Sequence, residues 1–465
     1  VKKLAPLGLG KNLRKILGPD RVRSDRTNRY LYCRDMMTGS ALEMKAGRRP
    51  CLPDLICSPD STDEVAAIVR IASRAKIPVI PFGAGSGVSG GTLPIHGGIL
   101  IDLKRMARIG PIEGNPMASP YRMSPYTVVA ESGMLGMTLE RRLNEQGFTL
   151  GHFPSSILCA TLGGYLAARS AGQCSSKYGK IEDMVTDIEA VLPTGEVIPI
   201  GKPIPAFRRT AAKEILVGSE GTLGIITKAR LKVHPLPPVT RYRGVTFNRL
   251  ESGLQAMREI MQSGLRPSVI RLYDPLDSLL LQFGYESEGV KKKLGGPFGK
   301  IRLFHAVLKH PHLLQTLFEF LPAELLLILG FEGEAGVVKA QESVALKICQ
   351  RSIARDQGEG PGLHWLKHRY SVSFKMPELF HQDCFVDTIE VASTWDLLGP
   401  LYETMHRLLK RRCLVLAHFS HAYPEGCSIY FTVIGRTGSA EKDCVTYREI
   451  WREAMEECLK AGGTI

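Results

Sequence analysis

The sequence predicts an α+β protein in two parts, and three observations predict it. Residues 53–103 alternate strand, helix and strand patterns around one glycine-rich loop, the order of an α/β unit. From about residue 240, strand-like runs are separated by helical stretches, the order of an α+β layer with helices on one face. Between the two stands His234-Pro235-Leu236-Pro237-Pro238, a proline-rich exit that marks a boundary. At 465 residues the chain is long enough for two or three domains with their own cores. The expected division is a helical leading segment at 1–47, a first domain at 48–238 and a second at 239–465.

In chain order, residues 1 to 47 are basic, helical in pattern and carry no evident chemistry. A short strand follows at 53–57. Ser61-Thr62-Asp63-Glu64 offers a capping box, and Val65, Ile68, Val69 and Ala72 follow at helical spacing. Pro78 ends that helix region. The apolar run from Ile77 to Pro81 then enters the loop Pro81-Phe82-Gly83-Ala84-Gly85-Ser86-Gly87-Val88-Ser89-Gly90-Gly91. With no Cβ in the way, backbone N–H groups in such a loop approach a phosphate closely. A Rossmann site needs GxGxxG at the start of a helix. Here Val88 stands at the third glycine position, and residues 98–103 read as a strand. The loop therefore reads as a strand–loop–strand phosphate cradle of another kind, with an ordinary glycine turn as the plainer alternative.

A strand at 127–130 and a helix at 137–146, closed by Gly147, come next. Residues 151–156 and 161–172 are dense in small residues and hydroxyls, which suits close contact with a flat or phosphorylated ligand, or tight helix packing. Residues 177–185 lead into a hairpin over 188–198 that turns at Pro193-Thr194-Gly195-Glu196. The stretch 218–227 closes the first part. In the second part, strands are expected at 244–247, 269–272, 325–330, 385–390, 414–418 and 428–434, with helices at 248–262 and 399–412. Residues 284–322 combine Lys291, Lys292 and Lys293 with apolar pairs. They read as a helix pair, or as a basic, apolar stretch for a membrane surface or an alkyl channel.

Composition narrows the classes. Apolar residues make up 44% and charged residues 23%, values of a soluble globular protein. No apolar stretch is long enough to span a bilayer. The net charge of +14 reads as a solvated basic surface or, more sharply, as a sign of an anionic substrate, an acidic membrane surface or a nucleic acid. The basic residues are scattered and no nucleic-acid motif is present, so no nucleic-acid partner is expected. The 11 cysteines form no CxxC pair and no zinc spacing, which suits a reducing compartment. The first residues, Val1-Lys2-Lys3-Leu4, lead into no signal-peptide core, and the absence of an initiator Met leads us to expect residues upstream.

Together the motifs resemble a family. The PFGAGSGVSGG loop, the PSS…TLGG…ARSAG stretch with YGKIEDMV, and GSEGTLGIIT before HPLP occur in this order. They resemble the PCMH-type FAD-binding domain of the vanillyl-alcohol-oxidase flavoprotein superfamily. Residues 268–274, 385–390 and 418–431 are similar to the alkyldihydroxyacetonephosphate synthase branch and its bacterial FAD-linked oxidase relatives. The resemblance covers roughly residues 50 to 465.

The resemblance implies an α+β fold: a two-lobed PCMH-type FAD-binding domain of two α/β subdomains, and an α+β cap with an antiparallel sheet. It implies FAD between the lobes, held non-covalently in this branch, although His152 stands near the place where some members attach the flavin. Pro81, Phe82, Gly83, Ala84, Gly85, Ser86 and Gly87 would hold the pyrophosphate. Pro154, Ser155, Ser156, Thr161, Ala168, Arg169, Ser170, Glu220, Gly221, Thr222, Leu223, Gly224 and Ile226 would contact the rest.

The implied reaction is a non-redox use of flavin in ether-lipid synthesis. The acyl group of acyl-dihydroxyacetone phosphate is exchanged for a fatty alcohol. This needs a proton-transfer residue, a phosphate clamp and an apolar channel. Tyr430 matches the family's proton-transfer tyrosine, and His418 and His421 join it as catalytic candidates. Arg271, Arg369 and Lys375 are the substrate-binding candidates. A buried strand aromatic and a structural salt bridge are the plainer roles for Tyr430 and Arg271. The implied partners are a small-molecule or lipid substrate, a membrane surface touched peripherally and a second copy of the chain. The implied location is cytoplasmic, membrane-associated, or peroxisomal in a eukaryote.

Two departures stand out. Lys375 occupies the best-fitting place for the family's substrate arginine and lacks the bidentate fork. The family's histidine run after a Gly-Gly like Gly462-Gly463 would lie past Ile465. Two further readings compete. One is a FAD-linked D-2-hydroxyacid dehydrogenase acting on a substrate such as lactate or glycolate. Its usual His-x-x-Gly-Asp-Gly-Asn-x-His segment is met here only by His418 and His421, with Tyr430 in the later histidine's place, and no metal is expected. The other is a flavoprotein electron-transfer subunit of a larger complex.

Overall fold

The structure is a computed structural model that describes residues 8–114, 125–204, 211–281, 324–371, 376–381 and 383–465. Lys375 and the basic, apolar stretch at 284–322 lie outside the described residues. The chain forms two compact units, Val1–Gly172 with Tyr178–Leu236, and Gln173–Lys177 with Pro237–Ile465.

The first unit holds two sheets. β1 (Val22–Arg23), β2 (Leu55–Cys57), β3 (Val79–Phe82) and β4 (Ile99–Asp102) lie in the order β1-β2-β4-β3. β2, β4 and β3 are parallel, and β1 runs against β2. Ile99, Leu100 and Ile101 are fully buried, as the continuous apolar run of a parallel strand requires. Helix Thr62–Ala75 turns Val65, Ile68, Val69 and Ala72 into this core. Ser61 caps it, Oγ accepting the Glu64 N–H at 3.2 Å. The Glu64 carboxylate accepts instead from the Asp60 N–H and from Arg21, so the box is not closed on Ser61 itself.

The leading residues do not stand apart. Helix Leu9–Leu17 buries Leu9, Leu13 and Leu17, spaced four apart, in the core that holds Val65 and Ile68.

The second sheet comprises β5 (Ile109–Gly114), β6 (Tyr126–Glu131), β7 (Phe148–Thr149), β8 (Val185–Val191), β9 (Val197–Ile198) and β10 (Ile225–Pro235). Its order is β5-β6-β10-β8-β9, with β7 also on β10, and every pairing is antiparallel. In β10, Ala229, Leu231 and Val233 are buried while Lys228, Arg230 and Lys232 alternate with them. Leu139 and Leu143 of helix Gly136–Asn144 and Leu162 and Leu166 of helix Leu162–Ala167 fill that core.

Among the described residues, the second unit is built on one seven-stranded sheet. Its strands are β11 (Val239–Phe247), β12 (Val269–Tyr273), β13 (Leu325–Gly333), β14 (Arg355–Asp356), β15 (Phe385–Thr394), β16 (Leu414–Ser420) and β17 (Gly426–Gly435). They lie in the order β14-β11-β13-β12-β16-β17-β15, antiparallel throughout. Leu272, Phe419, Ile429, Phe431 and Ile389 alternate onto one face and are fully buried. Helix Leu250–Gln262 presses Gly253 onto Leu272, where a Cβ would meet the leucine at 2.8 Å. Helix Trp395–Leu409 sets Tyr402 against Phe419 and Phe431.

The expectation of helices on one face is incomplete. Helix Gly360–His368 packs on the other face at the β11 end, because Gly244 leaves room for Pro361. There a Cβ would meet Pro361 at 2.7 Å.

Candidate functional site

The glycine loop follows β3 and is held from three sides within the first unit. A Cβ on Gly83 would meet Thr161 Oγ1 at 2.3 Å, so the loop and the cap of helix Leu162–Ala167 touch with no room for a side chain. Gly91 meets Glu220 in the same way, at 2.7 Å, and Ser89 donates to Glu220 at 3.4 Å. Gly221 lies against the Pro81 ring. The N–H of Glu220 donates to Ala167 O at 3.0 Å, and Arg169 donates to Val217 O at 2.9 Å. Arg169 and Glu220 both adopt left-handed φ of 51°.

Thus the three motifs, far apart in sequence, converge. Ser170 meets the buried His152 at 2.9 Å, and Thr222 caps its own turn by donating to Ser219 O at 2.6 Å. Leu223 is about half exposed, while Ile226 is buried as the second residue of β10. Among the described residues, the backbone N–H groups from Ala84 to Ser89 have no protein acceptor. A run of unpaired donors on a loop without side chains fits the pyrophosphate of FAD.

The leading segment buttresses this loop, which the sequence reading missed. Tyr32 packs edge-on against Phe82 at 5.0 Å and donates to Asp102 at 2.7 Å. Lys104 sits over both rings and donates to Gly83 O at 3.2 Å. The Met36 N–H donates to Gly87 O at 2.9 Å. Only the aromatic and basic content of residues 26–34 hinted at this.

The second unit carries the other half of the candidate residues on one sheet face. Antiparallel register sets Tyr273 opposite His418, His418 opposite Tyr430, and Tyr430 opposite Glu390. Arg271, Ser420 and Ser428 lie two residues away on the same face. His418 stacks on Tyr430 with ring centroids 4.9 Å apart. Nη2 of Arg271 bonds Nε2 of His418, and the Asp277 carboxylate lies 3.5 Å from its Nδ1. Burial, reinforced by the Arg271 charge, pushes the His418 pKa well below its usual range, so the ring is neutral. Burial also raises the Tyr430 phenol, which stays protonated at neutral pH.

His421, at a left-handed φ of 52°, meets Ser175 Oγ through Nδ1 at 2.8 Å. Tyr423 donates to the same serine at 3.1 Å. Ser428 donates to Glu390 at 3.0 Å. Arg369 lies over the rings of Trp365 and Tyr370, and its carbonyl accepts from Gln173 at 3.3 Å. Further along the face, Thr246, Leu326, Ile328, Pro361, His364 and Trp365 line much of a cavity of about 390 Å³. Asp274, Asp277, Ser175 and Glu390 had not been singled out from sequence, since their roles depend on register and on a helix turn.

Among the described residues no three His, Cys, Asp or Glu side chains gather into a metal-binding group, and no helix is long and apolar enough to cross a membrane.

Residues 53–201 match the FAD binding domain family, and residues 236–465 match the family of FAD linked oxidases, C-terminal domain. The chain is 29% identical to alkyldihydroxyacetonephosphate synthase of Dictyostelium discoideum, over 98% of this chain and 73% of that protein. A solved structure of alkyldihydroxyacetonephosphate synthase aligns with a TM-score of 0.79 at 28% identity, over 99% of this chain and 82% of that one. Glycolate oxidase subunit GlcD of Bacillus subtilis is 26% identical over 58% of this chain and 53% of its own.

Proposed function

We propose that this chain, which belongs to the FAD-linked oxidase family of flavoproteins, is an alkyldihydroxyacetonephosphate synthase. In the proposed reaction the ester bond at the substrate's methylene carbon breaks and a fatty acid leaves. A fatty alcohol then forms an ether bond at the same carbon and gives up its proton. The observation that carries this reading is the similarity to synthases along nearly the whole chain, joined to the polar row on the sheet. Bound FAD, held by the 83–89 loop, Thr161 and the 218–226 stretch, supplies a ring that accepts an electron pair reversibly and returns it.

The chain's own residues have distinct roles in this reading. Arg271 holds an anionic group of the substrate, its guanidinium steadied by His418. Tyr430, a neutral phenol beside Thr388 and Glu390, exchanges a proton with the substrate. The apolar part of the cavity beside Trp365 excludes water from the far end of the face. His418 and His421 spend their ring nitrogens on Arg271 and Ser175, which favours this reading over a histidine-based hydroxyacid site.

Anaerobic mixing of purified holoenzyme with D-lactate and with glycolate tests the choice. The flavin spectrum is expected to stay unchanged; bleaching by either acid would overturn the proposal in favour of the dehydrogenase reading. FAD is expected to leave the denatured protein freely, and a flavin that stays attached would contradict the non-covalent reading.

A further inference from the structure

We propose that Asp277 is a positioning residue: it selects the tautomer of His418 whose Nε2 lone pair holds the Arg271 guanidinium. The inference starts from donor counting. A guanidinium has five N–H donors and no acceptor. The contact between Arg271 Nη2 and His418 Nε2 therefore requires Nε2 to accept, so the ring proton sits on Nδ1. That nitrogen faces the Asp277 carboxylate at 3.5 Å. The neutral state of His418 agrees with a single ring proton. A carboxylate on one side of an imidazole, fixing what the other side offers, is the second-layer arrangement that orients metal-bound histidines, with an arginine here in place of the metal.

Asp277 is itself placed by the chain. Strand β12 ends at Tyr273, and residues 275–281 are helical. Asp274 caps this helix, Oδ1 accepting the Asp277 N–H at 2.8 Å. The turn sends Asp277 back over the sheet toward His418. The other groups around His418 are Arg271 and Tyr273 from β12, Tyr430 from β17 and His421 beyond β16. None of these is an anion at neutral pH, and Asp277, whose pKa burial raises to about 7 against the pull of Arg271, is the carboxyl group whose oxygen faces Nδ1. Among the described residues the Arg271 Nε is buried without a partner, so the guanidinium keeps a donor for a ligand once His418 has taken Nη2. This last step rests on the proposed anion-holding role of Arg271; the tautomer does not.

The test uses isotope-labelled histidine and two-bond nitrogen–proton correlation spectra of the holoenzyme, with His418 assigned by its loss in His418→Asn. The expected wild-type pattern is proton on Nδ1, bare Nε2. Asp277→Asn keeps an acceptor oxygen and is expected to keep that pattern. Asp277→Leu removes it and is expected to mix or invert the pattern. In parallel, binding of glycerol 3-phosphate to the holoenzyme is titrated. Asp277→Leu is expected to weaken it on the order of tenfold, the loss typical when a residue that orients an imidazole is removed, and Asp277→Asn by much less. A wild-type His418 carrying its proton on Nε2, or an Asp277→Leu variant with unchanged tautomer and binding, overturns the inference. Failure of the wild type to bind glycerol 3-phosphate would sink the anion-holding role of Arg271, while the spectra still decide the tautomer.

Discussion

Ser175 Oγ and His421 Nδ1 lie 2.8 Å apart, although 246 residues separate them in sequence. Tyr423 donates to the same serine, so the serine's own proton is available to Nδ1. The five residues from Gln173 to Lys177 belong with the second unit, where Lys177 also donates to Glu332 O at 2.8 Å. The Ser175→Ala variant should lose about 1 kcal/mol of stability, the net worth of a buried neutral hydrogen bond. Equilibrium denaturation of Ser175→Ala, His421→Ala and the double variant checks this. Because both singles break the same bond, the double should cost less than their sum.

The glycine loop gives a matched pair. Gly83→Ala would place a Cβ 2.3 Å from Thr161 Oγ1, whereas a Cβ on Gly87 meets nothing within 4 Å. Gly83→Ala should purify with most of its flavin lost; Gly87→Ala should keep it. The ratio of flavin absorbance to protein absorbance reads both.

Much of this architecture was legible from residue order. The glycine loop, the hydroxyl-rich stretch and 218–227 stood out because glycine and small residues leave a local signature, and the structure brings the three together. Strand-like runs announced most strands of the second unit's sheet. The buttress of Tyr32, Met36 and Lys104 was not legible, since an edge-on ring pair and a cation above it have no spacing rule. Nor were Asp277 and Glu390: the first depends on how a helix leaves β12, the second on the register of β15 against β17. Leu9, Leu13 and Leu17 carried a four-residue apolar spacing, but nothing in that spacing named the core they enter.

Asp274 makes stability depend on pH with a definite sign. Burial, and then the Asp277 charge, raises its pKa from 3.8 to about 8. The folded chain therefore keeps a proton that the unfolded chain has released, and this group's contribution falls as pH rises from about 4 to about 8. Asp274→Asn keeps an oxygen that accepts the Asp277 N–H, turns an amide N–H donor toward the Tyr402 oxygen in place of the second acceptor, and cannot ionise. The difference in Tm, variant minus wild type, should grow steadily from about pH 5 to about pH 8. A flat difference would show that the carboxyl is not titrating in that window.

Tyr430→Phe keeps the ring that stacks on His418 and removes only the hydroxyl. Flavin content and Tm should hold near wild type while the exchange rate falls by roughly 10²–10⁴, the range for loss of a positioned proton donor. An active Tyr430→Phe enzyme would move the proton transfer elsewhere on the face.

The central claim is that the polar face of the second unit's sheet serves an alkyl-for-acyl exchange. Holoenzyme incubated with acyl-dihydroxyacetone phosphate and a radiolabelled fatty alcohol tests it most directly. The account predicts label in alkyl-dihydroxyacetone phosphate, one fatty acid released for each label incorporated, and flavin still oxidised at the end. No label in the phosphate product, from enzyme that carries its full complement of FAD, would contradict it.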